Sequence, residues 1–247
     1  MPETKNTCKV IDIHMHAVPF VDDGAASIEM AMAMLRDAYK QGARAIFLTS
    51  HSWGIDGILG DYYTGVHHLT KLCAKELPDL TLAEGCEVHV NPGTVDEAIA
   101  QLKNEELPTL NKTEYVLIEF STYGITFEGM KKCVMKIVSA GFVPVLAHTE
   151  RYDRIIEDIS RVRILKQMGA MVQINLFSLA EEKDEIRAGW ARQMFCEELV
   201  DFVGTDAHRT THRPPCIKKG AEWIRENGKR NYANAVLYGN AEKLLLM

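Results

Sequence analysis

The chain has 247 residues, 47% of them hydrophobic and 25% charged, with a formal net charge of −6. That balance belongs to a globular protein able to bury a sizeable core, and its acidic sign argues against a general nucleic-acid binder, which carries a basic stripe. No apolar run approaches the roughly 18 residues of a membrane span, and the opening "MPETKNTCK" lacks the apolar core of a secretion signal, so a cytoplasmic protein without direct membrane insertion is expected.

Short β-branched or apolar runs alternate along the chain with segments whose apolar residues recur at three- and four-residue spacing. The run 9–16 ("KVIDIHMH") precedes a helix over 28–41, with Ser27 as its cap and Gly42 as its stop. Next come 43–51 ("ARAIFLTSH") with a helix over 65–77, and 80–90 ("LTLAEGCEVHV") with a helix over 95–102. The run 114–120 ("EYVLIEF") leads to a helix over 128–140, and 142–148 ("FVPVLAH") to one over 160–168, with Gly141 and Gly169 as stops. The last runs are 170–176 ("AMVQINL") and 199–208 ("LVDFVGTDAH"), followed by a helix over 216–226. No repeat, linker or low-complexity stretch divides the chain, so a single domain over 1–247 is expected, with 1–9 as a tail.

Strand and helix in this rhythm imply a parallel sheet with helices outside, in the α/β class. His16, His51, Glu87, Glu119, His148, Asp206 and His208 all fall at strand ends. An open sheet would spread those ends too widely for all to meet, whereas in a TIM-like barrel they converge on one mouth, the usual place for chemistry. A distorted (β/α)7 barrel is therefore expected.

Alternation along a strand puts Asp12, His14 and His16 on one face, and likewise Glu87 with His89 and Asp206 with His208. Imidazole and carboxylate without thiolate suit manganese, iron, zinc or cobalt in a catalytic centre rather than a structural zinc cage. The six cysteines (Cys8, Cys73, Cys86, Cys133, Cys196, Cys216) form no C-x-x-C pair and read as free thiols. Cys86 is no phosphatase nucleophile, because C-x5-R is absent and its side chain faces away from Glu87. Met30, Met32 and Met34 are packing residues, His67 and His68 are solvated, and His89 is structural. Arg151, three residues after His148, and Arg213, five after His208, leave the same mouth and can each hold two phosphate oxygens. The competing reading pairs Arg151 with Glu150 or Asp153; His212 is a secondary candidate beside Arg213.

The ordered blocks "IDIHMHAVPFVDDGAASIEMAMAML", "LTSH", "EGCEVHV", "YVLIEF", "VPVLAHTERY", "VQINLFSL" and "DFVGTDAHRTTHRPP" resemble the PHP (polymerase and histidinol phosphatase) superfamily. Within it they are most similar to the manganese-dependent protein-tyrosine phosphatases of bacterial capsule and exopolysaccharide synthesis, from about residue 10 to the final "NAEKLL". The resemblance implies three divalent cations, manganese foremost: one held by His14, His16, Glu87 and Asp206, a second by the bridging Glu87 with Glu119 and His148, and a third by Asp23, His51 and His208. It implies phosphate contacts from Arg151 and Arg213, and hydrolysis of phosphotyrosine by a metal-bound hydroxide, with Asp206 and His208 in the catalytic set and His208 as one candidate proton donor. The partner it implies is a cytoplasmic tyrosine autokinase with a tyrosine-rich tail. Of the adjacent Asp22 and Asp23, Asp23 is the expected ligand, and Asp12 is expected to orient a ligating histidine.

The family's Thr-Pro-His-His and His-Pro-Glu-Arg-Tyr read here as "TSHS" and "HTERY". The loop "WGIDGILGDYYTG" offers Trp53, Tyr62 and Tyr63 to stack on a substrate ring. Alternative readings are a small-molecule phosphatase such as one for histidinol phosphate, a non-catalytic regulator that binds a phosphotyrosine tail, and a nuclease, which the acidic charge disfavours.

Overall fold

A computed structural model describes residues 9–121, 124–180 and 185–246. Its seven strands, β1 (Val10–Met15), β2 (Ala43–His51), β3 (Thr81–Val90), β4 (Tyr115–Phe120), β5 (Val143–Leu146), β6 (Met171–Asn175) and β7 (Phe202–Gly204), pair in parallel in chain order. A parallel bridge between Met15 and Ala207 joins the end of β7 back to β1. There the Asp206 amide donates to the His14 carbonyl at 2.7 Å and the His16 amide to the Ala207 carbonyl at 2.9 Å. The sheet is thus a nearly closed α/β barrel.

Local chemistry sets the helix ends. Helix Ile28–Gln41 starts where the Ser27 hydroxyl accepts from the Met30 amide at 3.2 Å, and stops at Gly42, whose φ of 117° is open to glycine and strained for any residue with a Cβ. Two apolar layers hold the barrel. Ile11, Ile13, Phe47, Leu117, Val145 and Phe202 form the inner cluster, which Ala241 and Leu244 of helix Asn240–Leu246 close at the end where β4 and β6 begin. The outer cluster packs Val10, Met15, Ile46, Leu48 and Val88 against the surrounding helices.

That division exposes a departure from strict alternation. Ile11 and Ile13 lie in the inner layer but Met15 in the outer one, and the β1–β2 register shifts between Asp12 and Met15. One bulged residue re-aims the strand, so His14 and His16 turn into the mouth while Asp12 does not share their face. The Asp12 carboxylate accepts from the His14 amide at 3.0 Å and, across the seam, from the Thr205 amide at 2.9 Å and the Thr205 hydroxyl at 2.6 Å. It steadies the backbone of the bulge rather than an imidazole.

Other boundaries differ for local reasons. The strand expected over 199–208 is regular only from Phe202 to Gly204, and beyond its end Asp206 takes a φ of 53°. The helix expected from 65 begins at Leu59. Helix Glu185–Cys196 was not anticipated; its alanines make a weak periodic signal, yet Ala188, Ala191, Met194 and Phe195 are buried. Met32 and Met34 are core residues and Met30 packs against them. Cys73, Cys86, Cys133, Cys196 and Cys216 are free thiols, and Cys8 lies outside the described residues. Among the described residues no helix is long and apolar enough to cross a membrane.

Candidate metal centre

Register assembles the mouth. Paired residues of neighbouring parallel strands face the same side, and β2–β3 pairs His51 with Glu87 while β3–β4 pairs His89 with Glu119. The bulge in β1 and the turns after β5 and β7 supply the remaining groups. His148 and Asp206 both sit at positive φ, 32° and 53°, a strained backbone of the kind that collects at functional sites.

Glu87 is the hub. Its Oε2 lies 3.3 Å from both His14 Nε2 and His16 Nε2 and 3.0 Å from His51 Nδ1, and its Oε1 lies 2.9 Å from His148 Nε2. Glu119 Oε1 is 3.5 Å from His148 Nε2, and Asp206 Oδ1 is 3.6 Å from both His14 and His16 Nε2. Asp23 Oδ1 stands 3.5 Å from His51 Nε2 and 3.4 Å from His208 Nε2. All nine expected metal ligands therefore meet. Three groupings have ligand atoms within 4.8 Å of one another: His14, His16 and Glu87; His51, Glu87 and Glu119; and His16, Asp23, His51 and His208. His16 and His51 each stand in two of them, a closer interlocking than the one-ion assignments implied for these two histidines by the family resemblance.

These residues fit cations. His14 Nε2 and His16 Nε2 are 3.1 Å apart and aimed at the same carboxylates; between them one nitrogen can donate only if the other accepts, whereas both lone pairs can be given to a cation at once. Glu87 Oε2, Asp206 Oδ1, His51 Nδ1 and His148 Nδ1 are buried without a hydrogen-bond partner among the described residues. Unpaired buried oxygens and nitrogens of this kind are costly, and a divalent ion satisfies several at once. Charge points the same way. Burial opposes protonation of His16 and His148, yet the Asp22 hydrogen bond and the nearby Glu87 carboxylate lift His16 to about 10, and the Glu119 and Glu87 carboxylates lift His148 to about 9. Burial likewise opposes ionisation of Glu87 and Asp206, and the surrounding imidazoles nonetheless hold both carboxyls well below the usual range. The cluster is short of positive charge and draws protons to supply it.

His208 behaves differently. Burial, reinforced by the charge of His16, drives it down to about 3. Its Nδ1 faces the Asp206 carbonyl at 3.0 Å, which can only accept, and its Nε2 faces Arg213 Nη1 at 3.0 Å, which can only donate. In this arrangement the imidazole accepts at Nε2, a state suited to ligation.

Three residues support the cluster in roles the sequence did not suggest; there Asp22 is weighed only against Asp23 as a ligand. Asp22 accepts from His16 Nδ1 at 2.8 Å, from the His51 amide at 2.9 Å and from the Gly24 amide at 3.0 Å, the orienting role expected of Asp12. Gln173 Oε1 lies 3.2 Å from His14 Nδ1 and accepts from the His148 amide at 2.7 Å. Asn175 Nδ2 donates to Asp206 Oδ2 at 3.1 Å. The last two alternate in "VQIN", where two polar residues interrupt an apolar strand on one face; that was the available signal.

Both arginines reach the mouth. Arg151 Nη1 donates to Asp206 Oδ2 at 2.9 Å and Arg213 pairs with the same oxygen, so Arg151 pairs with neither Glu150 nor Asp153. They open onto a cavity of about 360 Å³ that Asn175, Phe177, His212 and Pro214 also line. His89 keeps a structural place, its Nδ1 3.5 Å from Glu119 Oε2 and its Nε2 3.3 Å from Ser121 Oγ. His67 and His68 are exposed and Cys86 is buried in the outer layer. Of the aromatic trio, Tyr62 is unavailable to a substrate: it is fully buried, its hydroxyl within 2.8 Å of the Leu48 and Gly85 carbonyls. Tyr63 is half-buried against Tyr62 and Glu84, and Trp53 stacks on His51 with ring centroids 5.1 Å apart.

A parallel barrel whose mouth joins a buried imidazole–carboxylate cluster to two convergent arginines defines a barrel with a metal-binding mouth built for anions. The match is more specific than that class. The sequence pattern of the capsular polysaccharide synthesis CpsB/CapC family fits residues 10–246, and the chain belongs to this family. It is 33% identical to tyrosine-protein phosphatase CpsB of Streptococcus pneumoniae, over 96% of this chain and 98% of that protein. It is 31% identical to tyrosine-protein phosphatase YwqE of Bacillus subtilis, over 83% and 79%. Crystal structures of YwqE and CpsB, described as metal-dependent tyrosine phosphatases, include a chain that superposes with a TM-score of 0.81 at 28% identity, covering 96% of this chain and 94% of that one.

Proposed function

We propose that this chain is a metal-dependent phosphomonoesterase that hydrolyses phosphotyrosine on a protein, namely the tail of a tyrosine autokinase controlling polysaccharide synthesis. The observation that carries the reading is the meeting of Arg151 and Arg213 on one oxygen of Asp206, directly beside the imidazole–carboxylate cluster.

In this reading His14, His16, Glu87 and Asp206, then Glu87, Glu119 and His148, then Asp23, His51 and His208 hold three divalent cations, manganese by preference. Bound there, such ions supply Lewis acidity, neutralising phosphoryl charge and bringing the pKa of a water towards about 7. The chain's own groups do the rest. Arg151 and Arg213 exchange their contacts with Asp206 for the phosphate oxygens, two planar forks that fix the phosphoryl group for in-line attack. Asn175 stays on Asp206 Oδ2 and keeps that carboxylate aimed as the arginines turn away. His208, neutral and anchored through Nδ1, keeps its Nε2 lone pair available. A tyrosine leaving group has a pKa of about 10, so its phenolate departs with less help from an acid than an alkoxide needs.

The test is phosphate release by manganese-loaded protein from a tyrosine-phosphorylated peptide and from histidinol phosphate, with Asp206→Asn as the blank. Preference for the peptide, abolished by the substitution and by chelation, is the expected result. Preference for histidinol phosphate overturns the substrate, and full activity of Asp206→Asn overturns the site.

A further inference from the structure

We propose that Phe177 is the wall on which the substrate's aromatic ring lies, making it the residue that selects aryl over alkyl phosphomonoesters; this rests on the phosphatase reading above. A phosphate gripped by Arg151 and Arg213 leaves its ester substituent to run into the rest of the cavity of about 360 Å³ onto which both arginines open. The apolar side chains lining that cavity are Phe177 and Pro214. Phe177 is 49% exposed on the cavity wall, so its ring is open to a ligand held by the two arginines.

The residue is also held in place. It sits in helix Leu176–Ala180 between buried Leu176 and Ser178. The Ser178 hydroxyl donates to Glu150 Oε1 at 2.7 Å, and the Asn175 amide donates to the same oxygen at 3.1 Å. On the other side the helix lies so close to helix Lys218–Asn227 that a Cβ on Gly220 would come within 2.3 Å of the Leu176 carbonyl oxygen. A ring carried on so fixed a turn loses little freedom on binding, which is what a specificity contact requires. Of the aromatic residues expected to stack on substrate, Tyr62 lies in the core and Tyr63 against it, while Trp53 stacks on His51 and is not among the residues lining this cavity.

The experiment uses the manganese-loaded full chain and its Phe177→Ala, Phe177→Leu and Phe177→Tyr variants. Kinetics on a phosphotyrosine peptide are compared with those on a phosphoserine peptide of otherwise identical sequence, alongside inhibition by inorganic phosphate. Phe177→Ala should raise KM for the phosphotyrosine peptide by about three- to tenfold, the worth of one aromatic pair. Phosphoserine kinetics and the phosphate inhibition constant should not change, and Phe177→Tyr should restore the wild-type KM. Equal loss on both peptides, or none on either, overturns the proposal. Calorimetric binding of the phosphotyrosine peptide separates the two readings: a wild type that turns over nothing defeats the phosphatase reading, while the dependence of peptide affinity on Phe177 still decides this one.

Discussion

Asp22 offers the sharpest test of how the centre is held. Its side chain is fully buried and serves three donors: His16 Nδ1 at 2.8 Å, the His51 amide at 2.9 Å and the Gly24 amide at 3.0 Å. In Asp22→Ala the two amides lose their acceptor. At about 1–3 kcal/mol for each buried donor left unpaired, the loss is about 2–6 kcal/mol, a fall in Tm on the order of 10 °C for a chain of this size. His16 also loses the carboxylate that fixes its ring, which should weaken metal affinity by about 10–100-fold. Asp22→Asn keeps one oxygen for His16 and His51 but turns its amide nitrogen towards the Gly24 amide, so its Tm should fall between the two. Thermal melts of the metal-free proteins and calorimetric titration of manganese into chelator-treated protein measure both quantities. Asp23, 57% exposed, is the control: Asp23→Ala should leave the metal-free stability within about 0.5 kcal/mol of wild type. An Asp22→Ala protein that melts with the wild type and binds manganese as tightly would refute the reasoning.

Three further outcomes follow from the same geometry. Because Glu87 Oε2 and Asp206 Oδ1 are buried without partners, manganese at a hundred times its Kd should stabilise the fold by about 2.7 kcal/mol per site, and a chelator should reverse the shift in a thermal melt. A Cβ on Gly204 would stand 2.6 Å from His14 Cβ, closer than atoms pack, so Gly204→Ala should destabilise by about 1–3 kcal/mol in urea and abolish manganese binding. Tyr62→Phe removes a hydroxyl that accepts from the Gly85 amide at 2.9 Å; it should lose about 1–3 kcal/mol of stability while leaving KM for a phosphotyrosine peptide unchanged.

Much of this architecture is legible in the sequence because the barrel repeats one rule: a buried strand, then an amphipathic helix, then a glycine stop. His51 and Glu87 could be placed at adjacent strand ends for that reason. The bulge in β1 was hidden, since a single shifted residue depends on the partner strand's register and leaves no compositional trace; it removed Asp12 from the face of His14 and His16. The orienting role expected of Asp12 falls instead to Asp22, in the loop after β1. Tyr62 was misplaced because a tyrosine in a polar loop reads as a surface residue until its hydroxyl is seen to bind the Leu48 and Gly85 carbonyls inside the fold. Helix Glu185–Cys196 was missed because alanine marks a buried face only weakly.

The join between β7 and β1 runs through the middle of the centre. His14 and His16 come from the first strand and Asp206 and His208 from just past the last, and Asp12 bonds to Thr205 across 193 positions of sequence. Under the proposed ligand assignment, ions shared by these residues would clasp a loop of nearly two hundred residues, whose closure is entropically demanding. A ribosome emits the first strand early and the last only near the end, so the growing polypeptide lacks Asp206 and His208 until β7 has emerged. In the proposed reading a chain that stops short of β7 lacks Asp206, His208 and Arg213, so hydrolytic competence waits for the strand that closes the barrel.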